Sequence, residues 1–415
     1  MNEKPAGSAD TSVHTDLDWV NLTPGKDNFM FGYYDRCPFD NTGQHHLALK
    51  FPQQQRLPKP GETADIGLIH IETGEFKPIA VTEAWGHQVG ALTVWLPSRP
   101  GCFMFNDFER SGNEWVPVIR ICSIDSGCID DLKGHFYNIS PDGRYASSIN
   151  FARIPRRGYS FARASFHPDM LMPDIDREGI SIIDMETGRQ QMIASYRDMI
   201  DLHPRPYSFE GNYFWLNQGN FNSDSSRVMV LFRYTENIET SWPRCTDLYT
   251  VNTDGSGLLC SLPNPYWRNA VSHQIWGRTP EEILVDADWC DKGSQYVVFN
   301  ENIRPLRAEK ISDGMGPAGH LNLSPDGKWL AADTYPDKDS IQHLSLVNVE
   351  TGECREIGRF RHMTDAPRDI RCDLHPRWSP DSRYITVDTI HNGPRNIFML
   401  DACEAVRNLG FSGLS

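Results

Sequence analysis

Three stretches of the chain carry one inner-strand pattern: HQIWGRTPEEILVDAD from His273, HLNLSPDGKWLAADT from His320 and HPRWSPDSRYITVDT from His375. In each copy an aspartate follows the histidine by 13 residues, at Asp286, Asp333 and Asp388. Repetition of one supersecondary unit constrains a fold more than composition does, because each copy must bury its apolar face against the next. Units arranged radially also bring equivalent side chains to a common place. Radial repetition of short antiparallel sheets is the β-propeller.

Turn chemistry marks the other units. Ser-Pro-Asp or a relative begins at Ser140, Ser223, Ser324 and Ser379, with looser versions at Asn41 and Arg278. A second turn closes each unit, as in IETGEF from Ile71, DMETGR from Asp184 and NVETGE from Asn348. Pro or Gly beside Asp between two apolar runs is a hairpin signal. Between these turns the residues alternate apolar and polar, the period of half-buried strands. The units fall near 29–80, 86–130, 135–195, 211–262, 271–309, 318–360 and 375–410. The expectation is an all-β, seven-bladed β-propeller, one domain over 29–415. Residues 1–28 form a tail with a possible closing strand. Segment 154–178 is too long for a tight turn and reads as an excursion over one face.

Charge and composition narrow the function. A formal charge of −15 over 415 residues argues against nucleic acid and anionic membranes, though not against an anionic substrate met by local positive charge. No apolar run approaches the roughly 18 residues of a membrane span. The N-terminus lacks the basic and apolar regions of a secretory signal. The 10 cysteines show no disulfide-like framework, so reduced thiols in a cytoplasm are expected. A secreted or periplasmic chain whose leader had been removed would read the same.

Two constellations could carry chemistry. His273, His320 and His375 occupy equivalent positions in adjacent blades and could converge on a divalent metal, with Cys372 as fourth ligand and Asp373 as the oxygen alternative. Zinc is the expected ion, with manganese or calcium as alternatives. The paired aspartates could accept the second ring N–H. The competing reading is a structural His–Asp pair in each blade, without metal. Tyr137 and Arg153 lie at neighbouring strand ends of unit three, where a cation could lower the phenol pKa from about 10 and make it a base. His87, Gln88 and Asn106 in unit two, Arg157 and Tyr159 in the excursion, and Arg233 in unit four could line the same mouth. No nucleophile-elbow, phosphate-loop or dinucleotide motif is present.

The blocks GYYDRCPFD at Gly32, WGHQVGALTVWLP at Trp85, SPDGRYASSINFARIPRRGYSF at Ser140 and RCDLHPRWSPDSRYITVDTIHNG at Arg371 resemble the propeller polysaccharide lyases. The group includes oligogalacturonate lyases, ulvan lyases and rhamnose–glucuronate lyases. The resemblance runs from about Gly32 to the C-terminus. It implies β-elimination on a uronic-acid-containing glycan, with Tyr137 as base and acid, Arg153 tuning it, and His87 with Asn106 holding the uronate carboxylate. It also implies a metal held by His273, His320, Cys372 and His375. The chain departs from the group at Asp373, where oligogalacturonate lyases carry histidine, and at Gln218, where relatives carry histidine after an asparagine. The alternative is a non-catalytic propeller that binds acidic glycans or a protein across the same mouth.

Overall fold

The Ser-Pro-Asp turns form because each serine serves two neighbours. Ser140 Oγ donates to Asp142 Oδ1 at 2.5 Å and accepts from the Tyr145 amide at 2.9 Å. Ser324 and Ser379 repeat this arrangement with Asp326 and Asp381. Turns of neighbouring blades also dock on one another: Ser225 Oγ accepts from the Asp142 amide and Ser382 Oγ from the Asp326 amide, both at 3.1 Å.

The computed structural model describes residues 12–14, 16–164, 172–204, 211–264, 266, 273–289, 293–316, 319–363 and 367–411. The middle of the excursion therefore lies outside the described residues, as does the start of the tail. Seven antiparallel sheets follow one another along the described chain, and they make a seven-bladed β-propeller. Blade one holds Asn28–Met30, His45–Phe51, Ala64–His70 and Phe76–Thr82. Blade four is built from Tyr213–Phe221, Arg227–Thr235, Cys245–Asn252 and Leu259–Leu262. In blade three an isolated bridge, Ile139 to Ala146, stands where the others have an inner strand.

Blade seven is completed from the other end of the chain. Val20–Asn21 pairs antiparallel with Phe398 and Met399 and becomes its outermost strand. Fully buried Trp19 fixes this segment, donating to the Ile357 carbonyl at 2.8 Å and packing edge-on against Phe360.

The expected alternation of burial fails in blade four, where every residue of Tyr213–Phe221 is buried. Both faces of a blade pack on neighbouring blades and this innermost strand has its free edge on the plugged channel, so it has no solvent face. The expectation for the cysteines also changes: Cys122 and Cys128, facing each other across two strands, are joined by a disulfide. No helix among the described residues is long and apolar enough to cross a membrane.

One segment sets the site. Residues 32–36, between the first two strands of blade one, run into the central channel and touch every other blade. Arg36 donates to the carbonyls of Leu92 and Tyr137, and Asn138 donates to that of Asp35. Gln218 donates to the Tyr33 hydroxyl, and the Tyr34 hydroxyl donates to the Gln274 carbonyl. Asn322 reaches the Tyr34 carbonyl, and Arg377 donates to the Tyr33 and Gly32 carbonyls. Gly32 is required there, at φ +121°, since a Cβ would meet the Val89 carbonyl oxygen at 2.6 Å. The channel is thus plugged between its two ends.

Candidate functional site

The histidines stand where inner strands begin, the end of the channel opposite the Ser-Pro-Asp turns. His320 and His375 have ring centroids 4.2 Å apart, and His273 lies 4.2 Å from His320 on its other side. Gly319 admits this packing, because a Cβ there would lie 1.8 Å from the Asp333 carbonyl oxygen. His320 Nδ1 is 3.1 Å from Asp333 Oδ1, and His375 Nδ1 donates to the Gly32 carbonyl at 2.8 Å. With Nδ1 carrying the proton, Nε2 of each ring presents its lone pair. Both Nε2 atoms are buried without a hydrogen-bond partner. His375 holds φ +48°, a strained value for a side chain of its size, fixed by its amide bond to Asp333 Oδ2 at 2.9 Å.

Asp373 completes the group: ligand atoms of His320, Asp373 and His375 all lie within 4.8 Å of one another. Asp373 is 1% exposed, and Arg371 grips both its oxygens. Burial pushes its carboxyl up, but the Arg371 guanidinium outweighs this and holds it below the usual range. His273 and His375 are held well below the ordinary histidine range, by burial first and then by His320 and nearby arginines. Two imidazole nitrogens and a carboxylate are a competent donor set for a divalent metal.

Cys372, the expected fourth ligand, stands apart from this group. Its amide donates to His362 Nε2 at 3.1 Å, and burial pushes its thiol up to about 12, with Arg395 and Asp388 as its electrostatic neighbours. Cys372 is not among the residues whose ligand atoms converge, which are His320, Asp373 and His375. Without a thiolate, the special preference for zinc goes. Mixed imidazole–carboxylate donors suit manganese or iron as well, and imidazoles disfavour calcium.

Of the three expected His–Asp pairs, only His320–Asp333 forms. Asp388 instead binds Arg377 and Arg395. Asp286 accepts from Ser294, its Oδ2 has no partner, and burial pushes its carboxyl up to about 7. A raised carboxyl costs stability once the unfolded chain ionises and the folded one does not. Asp286→Asn should therefore gain roughly 3 kcal/mol at pH 8, little at pH 4, the gain growing between these limits. Thermal melts across that range read the difference. A gain independent of pH would sink the argument.

Cations and tyrosines surround the histidines. Arg371 lies 4.0 Å over the Tyr335 ring, and the Tyr335 hydroxyl is 3.1 Å from His273 Nε2. Arg156 lies 4.5 Å over Tyr159, whose ring is 6.0 Å from Tyr33. Arg233 is 7% exposed and is held low by burial, its field reaching Tyr33, Tyr159 and Tyr335. Arg244 is held well below the ordinary range, by burial and then by Arg233 and Arg156. Arg371 and Arg156 already pair with Asp373 and Asp369, and Arg233 and Arg244 add to the positive field around them.

The other expected residues are placed differently. Tyr137 donates to Asp35 Oδ2 at 2.6 Å under the Arg36 guanidinium, and burial with Asp35 raises its pKa well above 10. Arg153 instead forms a two-point pair with Glu178, at 2.9 and 2.6 Å. The pairing of Tyr137 with Arg153 is thus replaced by two separate interactions. Asp35, invisible in a spacing argument, decides this because the plug carries it into the channel.

His87 is fully buried beside Trp85 and Phe51, its pKa lowered to about 4 by burial and then by Arg395. Gln88 donates to the Arg368 and Arg371 carbonyls and so supports the segment bearing Asp373. Asn106 bonds the Phe136 backbone through both amide atoms. Arg157 is exposed, whereas Tyr159 and Arg233 reach the cationic chamber. Tyr33, Tyr34, Tyr335, Arg244 and Arg371 went unnoticed in the sequence. The offset of two between Arg371 and Asp373, and between Asp333 and Tyr335, is the signal that could have found two of them.

A cavity of about 760 Å³ opens on the opposite face, among Pro97, Pro141, Pro325 and Pro380, with Asp35 and Arg36 at its floor. Those two side chains pair at 3.0 Å, so the floor is neutralised, and the rest of the lining is largely apolar. The histidine side, where ligand atoms of His320, Asp373 and His375 converge beside several arginines, is the better candidate.

Fold and site together define a seven-bladed propeller with a buried histidine–aspartate cluster under a cationic, tyrosine-lined mouth. No protein-family model matches the sequence, and neither does any curated protein. Among solved structures the chain is similar to the oligogalacturonate lyase of Vibrio parahaemolyticus, with a TM-score of 0.61 and 15% identity over 94% of each chain. It is also similar to an oligogalacturonate lyase in complex with manganese, with a TM-score of 0.61 and 14% identity over 95% of this chain and 94% of that one. At such identities the likeness is one of fold.

Proposed function

We propose that this chain is a lyase that cleaves a uronic-acid-containing oligosaccharide by β-elimination, with a divalent metal held by His320, Asp373 and His375. The observation that carries the reading is the pair of buried, unpartnered imidazole nitrogens beside a carboxylate, beneath Arg233, Arg244 and Arg371. The oligogalacturonate lyase with manganese supports it as a likeness of fold.

The reaction asks for those parts. The C5 proton of a uronate becomes removable only when the carboxylate charge is offset, and the resulting enolate-like anion needs stabilisation. A bound metal would supply Lewis-acid neutralisation of that carboxylate. Arg233 and Arg244 add fixed positive charge, and burial excludes water that would screen it. Asp333 and the Gly32 carbonyl hold the two imidazoles in the ligating tautomer. The phenol assigned here to exchange a proton with the sugar is Tyr335, its hydroxyl against His273; burial and then Tyr159 push that phenol up, and Arg371 over its ring opposes them. Tyr137 keeps its proton turned to Asp35.

The test is a panel of ulvan, oligogalacturonate and rhamnosyl–glucuronate substrates, read by ultraviolet absorbance of the new double bond conjugated to the carboxylate. One substrate should give a rise that chelator removes and manganese restores. Silence across the panel with a folded, metal-loaded protein would overturn the lyase reading in favour of a binding propeller. With an active substrate in hand, Tyr335→Phe should lower turnover by about 10²–10⁴-fold. Tyr137→Phe should leave turnover within about threefold of the parent, since a proton held by Asp35 takes no part in the transfer.

A further inference from the structure

The histidine-side mouth is spanned by loops from opposite blades. Trp242, between the second and third strands of blade four, meets Arg368, which precedes blade seven, with the guanidinium 5.4 Å from the ring centroid. Arg244 approaches the same indole at 5.6 Å. Trp242 is 39% exposed, among the few large apolar side chains left in water. Its neighbours connect it to the chamber below. Arg244 feels Arg233 and Arg156, and the Arg368 carbonyl shares its donor, Gln88, with that of Arg371. Cationic groups thus run from Asp373, through Arg371, Arg233 and Arg244, out to an exposed aromatic plate.

We infer that Trp242, Arg244 and Arg368 form a second sugar subsite, which takes a further uronate residue of the same oligosaccharide. This rests on the proposed lyase reading and adds to it a requirement for substrate length and charge. The C–H face of a pyranose is apolar and packs on an indole, while its ring substituents remain hydrogen-bonded to water and protein. A carboxylate on that sugar meets the exposed Arg368 guanidinium, which can add a charge-assisted hydrogen bond, within the positive field of Arg244 beside the same ring. A neutral sugar could use the indole alone. The structure therefore favours acidic residues at two successive positions over one acidic end on a neutral chain.

The experiment is calorimetric binding to the full, metal-loaded chain of carbon-linked, non-eliminable analogues: an acidic dimer, an acidic trimer and a neutral trimer. The parent should bind the acidic trimer about tenfold tighter than the dimer, a difference of one stacked, charge-paired sugar. Trp242→Ala should remove that advantage and leave the dimer within about twofold, whereas Trp242→Phe should retain most of it. Trp242 is exposed, and unchanged melting of the variants would show that the fold is intact. An undiminished trimer advantage in Trp242→Ala would overturn the subsite alone, and equal binding of the neutral trimer would overturn its charge preference. If the parent binds no acidic saccharide, the lyase reading falls and the subsite with it.

Discussion

On the proposed reading, His320→Ala or His375→Ala should strip the divalent metal from the purified protein and lower turnover by on the order of a thousandfold or more, with a stability cost of about 1–3 kcal/mol for the lost Nδ1 contact. Each ring contributes an Nε2 that makes no other bond, so removing it breaks no hydrogen bond at that atom. The stabilising contacts lie at Nδ1, to Asp333 and to the Gly32 carbonyl. Replacing Asp333 instead should weaken metal binding by about 10–100-fold, because it orients rather than ligates. Metal content by elemental analysis, measured beside activity, separates the outcomes. A His375→Ala protein with full metal and full turnover would remove the cluster from the scheme. Cys372→Ser should keep its metal, since Asp373 occupies the position expected for the thiolate.

Asp388→Ala should be the most damaging substitution to the fold. Asp388 is fully buried and pairs with Arg377 at 3.0 Å and Arg395 at 2.8 Å, both themselves fully buried. It also accepts the amides of Phe31 and Gly32. Removing it leaves two buried guanidiniums without their carboxylate, a loss of about 3–5 kcal/mol. It also releases the start of the channel plug. Burial pushes the Asp388 carboxyl up, but Arg377 and Arg395 outweigh this and hold it below its usual value. The stabilisation it gives is therefore complete above the unfolded value of about 4 and lost as pH falls through the lowered folded value. Denaturant melts of parent and variant should show that gap near neutrality and its closing in acid. A gap under about 1 kcal/mol near neutrality would show that the cluster is neutral to stability.

Much of the architecture was legible because it is written in local chemistry. Ser140, Ser324 and Ser379 each build their turn from residues within five positions, so the motif and the structure are nearly the same statement. The repeated histidine likewise marked one place in three consecutive blades. The misplaced residues share a different property. Tyr137 was paired with Arg153 by strand spacing, but Asp35 from blade one and Glu178 from the far side of the excursion claimed them. Three histidines in register suggested three equal His–Asp pairs. Arg377 and Arg395, both in blade seven, took Asp388 instead.

The sequence by itself determined the number of blades, their turns and the end of the channel where the histidines gather, because strand period, turn residues and repeat length act within a few residues of one another. Tertiary structure alone decided which donors complete the cluster and which tyrosine faces it. Those choices depend on residues 32–36 threading the channel and on loops of separate blades meeting across its mouth. Contacts between groups hundreds of residues apart have no spacing rule. Their energies are set by burial and charge, which exist only once the propeller has closed.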